Sequence, residues 1–155
     1  MTPSEYQNPI LCADYSDPDI VRVGDDFFMV SSSFNHVPAL PILHSTDLVN
    51  WTIINHVMDE LPLPGYDRYQ PGKGVWAPSI RWHDGKLWVC FSTPDEGIFI
   101  CHTEDPWGKW SAPHCLRQAR GWIDPCPFWD DDGRAWLVHA FAYSRCGIKN
   151  KLQLI

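Results

Sequence analysis

Three segments of the chain share one pattern, and a repeat constrains a fold more than local propensity does, because each copy must bury its faces against the next. Asp17-Pro18-Asp19-Ile20, Ala77-Pro78-Ser79-Ile80-Arg81-Trp82 and Asp124-Pro125-Cys126-Pro127-Phe128-Trp129 each lead into a turn and then an apolar strand. Their prolines, at 18, 78 and 125, lie 60 and 47 residues apart. The turns are Gly24-Asp25-Asp26, His83-Asp84-Gly85-Lys86 and Asp130-Asp131-Asp132-Gly133-Arg134. Gly and Asp tolerate the backbone of tight hairpins, so each following run reads as the second arm of a hairpin. Those runs, Phe27-Phe28-Met29-Val30, Leu87-Trp88-Val89-Cys90-Phe91 and Ala135-Trp136-Leu137-Val138, are rich in aromatic and β-branched residues, and helical periodicity is nearly absent. The chain is predicted to be all-β.

Two copies continue alike. Ile42-Leu43-His44-Ser45-Thr46-Asp47-Leu48-Val49-Asn50-Trp51 parallels Phe99 to Trp110: a strand, a Thr-acid corner and a closing Trp. A repeating unit of four short strands that cannot bury both faces alone is a propeller blade. Two full units are followed by a third that ends in the strand-like Lys151-Leu152-Gln153-Leu154-Ile155 with no closing Trp. The expectation is therefore a β-propeller of which residues 1–155 supply about two and a half blades, truncated at the C-terminus. A β-sandwich of about seven strands is the competing architecture; it would suit the length but does not require the repeat.

Charge and composition exclude several classes. The formal charge is -7 with no Lys/Arg run, so there is no counterion-releasing surface for nucleic acid or anionic lipid. No stretch approaches a membrane span, and Met1-Thr2-Pro3-Ser4-Glu5 has neither a basic nor an apolar leader region, so a cytoplasmic location is the default expectation. The six cysteines are dispersed without a C-x-x-C pair and are expected to be free thiols. Seven histidines, at 36, 44, 56, 83, 102, 114 and 139, show no metal-ligand spacing, so no metal or other cofactor is expected. Most of the aromatic residues are expected in the core.

The first strand of every propeller blade lines the central channel, so residues at its start converge at one mouth. The repeat puts Asp17, Ala77 and Asp124 in register, which brings two carboxylates to one cavity. Paired carboxylates suit glycosidic cleavage, in which one deprotonates water and others hold or tune the acid. The simpler reading of Asp before Pro is a turn residue. Trp76 is expected near the same mouth, where an indole face can stack on a sugar, or else pack between blades.

The ordered segments Asn8-Pro9-Ile10-Leu11, Tyr15-Ser16-Asp17-Pro18-Asp19-Ile20 with Val23-Gly24-Asp25-Asp26, Ser32-Ser33-Phe34, Pro41 to Trp51, Gly74-Val75-Trp76-Ala77-Pro78-Ser79-Ile80, and Trp122 to Phe128 with Asp131-Asp132-Gly133 resemble glycoside hydrolase family 43. The resemblance runs from about Asn8 to the end. It implies a five-bladed β-propeller that hydrolyses β-xylosides or α-L-arabinofuranosides with inversion, acting on xylo- or arabino-oligosaccharides. It also implies that Asp17 is the general base and that Asp124 raises the pKa of the acid and orients it, while Trp76 and Phe34 wall the sugar pocket. Asp14 is the rival base, without a following Pro and out of register. The general acid of the family is a Glu beyond the third blade, and no glutamate follows Glu104. The catalytic set is thus expected to be incomplete here, to be completed by the missing C-terminal blades or left as a sugar-binding fragment.

Overall fold

The computed structural model describes residues 5–35, 37–149 and 151–155. The leader reading of residues 1–4, and His36, fall outside the described residues. Strands β1 (Asp19–Val23), β2 (Asp26–Val30), β3 (Ala39–Ser45) and β4 (Thr52–Met58) form one antiparallel sheet in chain order. Strands β5 (Trp76–His83), β6 (Lys86–Thr93), β7 (Gly97–Thr103) and β8 (His114–Gln118) form a second with the same order. The third holds β9 (Trp122–Trp129), β10 (Ala135–Phe141) and, after the short helix α1 (Tyr143–Cys146), β11 (Gln153–Leu154).

Local chemistry explains the pairings. The β5–β6 turn places Asp84 and Gly85 at φ 49° and 73°, the two positive angles a type I′ hairpin needs. After β3, the Ser45 hydroxyl accepts the Asp47 and Leu48 N–H groups, and Asp47 in turn accepts those of Val49 and Asn50. These bonds, with the side-chain amide of Asn50, hold the Asp47 carboxyl well below the usual carboxylate range. The corner after β7 repeats the device, with Thr103 accepting Asp105 N–H and Asp105 accepting Trp107 N–H. Repeated sequence here produces repeated hydrogen bonding.

The sheets stack with their first strands together, β5 lying against both β1 and β9. Phe28, Val30, Leu40 and Ile42 of the first sheet region meet Ile80, Val89, Phe91 and Phe99 of the second in one buried cluster. Polar groups also tie the first strands to one another. Asp19 accepts the Ile80 N–H at 2.9 Å and pairs with the Arg81 guanidinium at 2.5 Å, while Arg81 donates to the Cys126 sulfur at 2.8 Å. Ser79 donates to the Pro125 carbonyl at 2.6 Å. Arg81 thus spans three sheets. Burial alone would lower its pKa, but the neighbouring charge of Asp19 overrides that and raises it.

The described cysteines are all free thiols, and burial pushes that of Cys101 up to about 12. The aromatic residues depart from expectation. Trp110 is fully packed, but Trp82, Trp107 and Phe128 are exposed and the remaining tryptophans are only partly covered. The reason is geometric: many rings pair across strand ends, as His83 stacks on Trp129 at 4.3 Å and Trp107 sets its edge against Phe28 at 5.6 Å, leaving one face open. Removing Arg81 strands the Asp19 carboxylate between sheets, so Arg81→Ala is expected to cost about 1–3 kcal/mol, read as a lowered urea midpoint with unchanged slope.

Candidate active site

Each first strand carries the same irregularity at its head. Between Trp76 and Ser79 two residues of β5, Ala77 and Pro78, face one of β6, and between Ile123 and Cys126 two residues of β9, Asp124 and Pro125, likewise face one of β10. Ahead of β1, the Ser32 N–H bonds the Ser16 carbonyl at 3.0 Å while Asp19 pairs with Val30, which is the same one-residue bulge. In each bulge the residue before proline adopts positive φ: Asp17 at 48°, Ala77 at 25° and Asp124 at 54°. Left-handed backbone is uncommon outside glycine, and a bulge re-aims the side chain it carries. Asp17 and Asp124 thus sit at equivalent bulge positions, and the charge of one reaches the other.

Both aspartates are exposed. Asp17 accepts the Ser32 hydroxyl at 2.9 Å, and the same hydroxyl accepts the Ala77 N–H at 2.9 Å. Ser32 is buried, so it fixes Asp17 to the head of the neighbouring sheet. The Asp124 carboxyl retains access to water, yet the surrounding protein raises its pKa first, and the negative charge of Asp17 adds to the rise. The two carboxylates therefore interact.

Trp76 directly precedes Ala77, whose N–H shares Ser32 with Asp17, and Phe34 lies two residues past Ser32; the two rings are 6.0 Å apart in an edge-on arrangement of 75°. The Trp76 indole N–H donates to the Gly72 carbonyl at 3.1 Å. Phe34 is held by an isolated bridge, in which Ser33 and Val75 exchange N–H bonds of 2.9 Å and the Gly74 N–H bonds the Phe34 carbonyl at 2.8 Å. Any side chain at Gly74 would run into the Ser33 and Phe34 backbone, so the bridge demands glycine there. A cavity of about 390 Å3 opens beside Phe34, lined by Tyr66, Tyr69 and Gln70 among others, but neither aspartate lines it.

The alternatives are drawn elsewhere. Asp14 accepts the Ser16 hydroxyl at 2.6 Å on the exposed approach to β1. Asp130 and Asp132 serve the β9–β10 turn, the first accepting the Gly133 N–H through its carbonyl and the second pairing with Arg134 at 2.5 Å. Sequence reasoning assigned Ser32 no role. Its signal was present only as three consecutive serines ending an apolar strand, which gives no hint of a bond 15 residues back.

Antiparallel sheets stacked through their first strands, with carboxylates at the head of two of them, are the arrangement of β-propeller blades. The model for glycosyl hydrolases family 43 matches residues 6–155, and the chain belongs to that family. It is 41% identical over 133 residues to a putative beta-xylosidase of Xylanibacter ruminicola and 42% identical over 137 residues to a xylosidase/arabinosidase of Butyrivibrio fibrisolvens. Those matches cover 85% and 84% of this chain but 24% and 26% of the relatives, so the chain spans about a quarter of their length. A solved GH43_12 structure retrieved from capybara gut metagenome superposes with a TM-score of 0.79 at 36% identity, over 94% of this chain and 28% of that one. Structural neighbours of this family are five-bladed propellers, of which these three sheets are the matching part.

The coupling between the aspartates has a checkable sign. A carboxyl whose folded pKa exceeds its unfolded value contributes nothing at pH below both, and costs stability once the pH rises through the raised value. Asp124→Asn should therefore gain stability near neutral pH, less than about 1 kcal/mol given solvent screening, with the gain vanishing in acid. In Asp17→Asn the Asp124 carboxyl carbon, followed by NMR, should titrate at lower pH than in the parent chain.

Proposed function

We propose that this chain supplies the first blades of a glycosidase that cleaves β-xylosides or α-L-arabinofuranosides of plant cell-wall saccharides, inverting the anomeric carbon. The observation that carries the reading is the equivalent placement of Asp17 and Asp124 on matching bulges, with interacting charges. In this reading Asp17, oriented by Ser32, is the general base. It takes a proton from a water whose oxygen attacks the anomeric carbon, while a carboxylic acid protonates the departing oxygen. Asp124 acts on that acid: a nearby negative charge disfavours a second ionisation and so keeps the acid protonated.

The acid itself is proposed to be a glutamate on a later blade. Within this chain Glu96 is engaged by the Tyr66 hydroxyl at 2.9 Å, and no glutamate follows Glu104. The remaining blades are the proposed partner. Ile20 and Ile53 on the first sheet, and Phe128, Leu152 and Leu154 on the third, leave exposed apolar surface that neighbouring blades would cover. The names of the relatives, xylosidase and xylosidase/arabinosidase, support a pentose substrate.

A chimera tests the assignment, with residues 8–155 replacing the matching segment of the Butyrivibrio fibrisolvens relative. It should cleave aryl β-xyloside or α-L-arabinofuranoside, and Asp17→Asn should lower kcat by about 10²–10⁴-fold. Full activity in that variant removes the base assignment. Separately, the 155-residue chain alone should bind xylo- or arabino-oligosaccharides by calorimetry without hydrolysing them. Absence of heat at millimolar ligand argues against the sugar pocket.

A further inference from the structure

The face of Trp76 is governed by a residue outside the repeat. Helix α1 leaves β10 at the mouth, where Ala140 and Phe141 pair with Ile123 and Trp122 beside Asp124, and it ends at Gly147, whose left-handed backbone returns its N–H to Tyr143. From the last turn Arg145 reaches back to the second sheet. Its guanidinium carbon lies over the Trp76 ring, 5.4 Å from the centroid, and its Nε is 3.4 Å from the Asp95 carboxylate in the β6–β7 turn. Lys73 and Arg120 also approach Asp95, at 3.9 and 3.3 Å. Their side chains are 45% and 67% exposed, against 24% for Arg145, so Arg145 is the most enclosed of the three, its buried Nε facing Asp95 as an ion pair and not as a hydrogen bond.

Three contacts then define the indole plane: the bond to Gly72, the ring of Phe34 and the guanidinium of Arg145. A partly desolvated guanidinium over an indole is a favourable contact that selects among ring orientations. It also occupies one indole face.

We propose that Arg145, anchored by Asp95, is a positioning residue that sets the Trp76 plane and leaves a single face for a pentose ring. This rests on the reading of Trp76 as part of the sugar pocket. The residue acts through Trp76 and not on the reacting atoms, so its loss weakens sugar binding without touching the carboxylates. A guanidinium suits this position because its charge is spread over a plane that can cover an indole while pairing with a carboxylate, whereas an ammonium is a compact point charge.

The test uses the 155-residue chain and its indole N–H resonances, with that of Trp76 identified by its loss in Trp76→Phe. In Arg145→Ala and Asp95→Asn the Trp76 resonance should shift and broaden, while that of Trp51, which bonds Leu48 in the first sheet, stays in place. If Arg145→Ala also moves Trp51, Arg145→Lys supplies the reading, with a smaller Trp76 displacement on an intact fold. A Trp76 signal unchanged in the variant that keeps its fold overturns the clamp. Xylobiose titrated on the same resonance should bind about tenfold more weakly to Arg145→Ala than to the parent, and equal affinity overturns the positioning role. If the parent chain itself fails to respond to millimolar xylobiose, the sugar-pocket reading falls and takes the pentose half of the proposal with it, while the indole shifts still decide the clamp.

Discussion

A one-residue bulge at the head of each first strand governs the rest of this structure. It breaks the alternation of the sheet at the position where the blades converge, and it does so through a left-handed residue ahead of a proline. Such backbone in a residue with a side chain costs on the order of 1–3 kcal/mol and persists only where surrounding contacts impose it. At Asp17 the imposing contact is visible. Ser32 bonds both the strained carboxylate and the Ala77 N–H, so the hydroxyl satisfies two bulges in adjacent sheets at once. Strain and orientation thus share one cause: the angle that disfavours the residue is what re-aims its carboxylate.

Below the bulges, the first strands are joined by both apolar and polar contacts. Apolar packing dominates between the first two sheets, where Ile80, Val89 and Phe91 are inaccessible. Hydrogen bonds also run from one first strand to the next. Arg81 fits between them because a guanidinium can donate in several directions in one plane, to the Asp19 carboxylate, the Ile80 carbonyl and the Cys126 sulfur. The desolvation it suffers is offset by Asp19, so the charge is retained in the channel.

Chemistry at the mouth follows from this scaffold. Aspartates from the first and third sheets are brought near enough for one charge to oppose ionisation of the other, which is how a single site keeps carboxyl groups in different protonation states. The aromatic wall is arranged by different means, with loop backbone holding Phe34 through Gly74, and a helix of the third sheet reaching across to Trp76. The carboxylates are set by repeat geometry and the wall by contacts between unlike segments.

What was readable in the chain was whatever depends on neighbours in sequence. Hairpin turns such as Asp84-Gly85 and the β11 strand follow from local backbone chemistry, as do the corners after β3 and β7, although Ser45 with Asp47 and Thr103 with Asp105 close them in place of the expected Thr46-Asp47 and Thr103-Glu104, and the spacing of Pro18, Pro78 and Pro125 carried the register of Asp17 with Asp124. The tertiary structure alone decided the partners of those residues: Ser32 between two sheets, Arg81 across three, Arg145 and Asp95 behind Trp76, and the half-open placement of so many aromatic rings. The physical reason is that hydrogen-bond and ring contacts between blades depend on the twist and separation of whole sheets. No periodicity along one strand encodes those distances, whereas a turn is closed by the few residues that compose it.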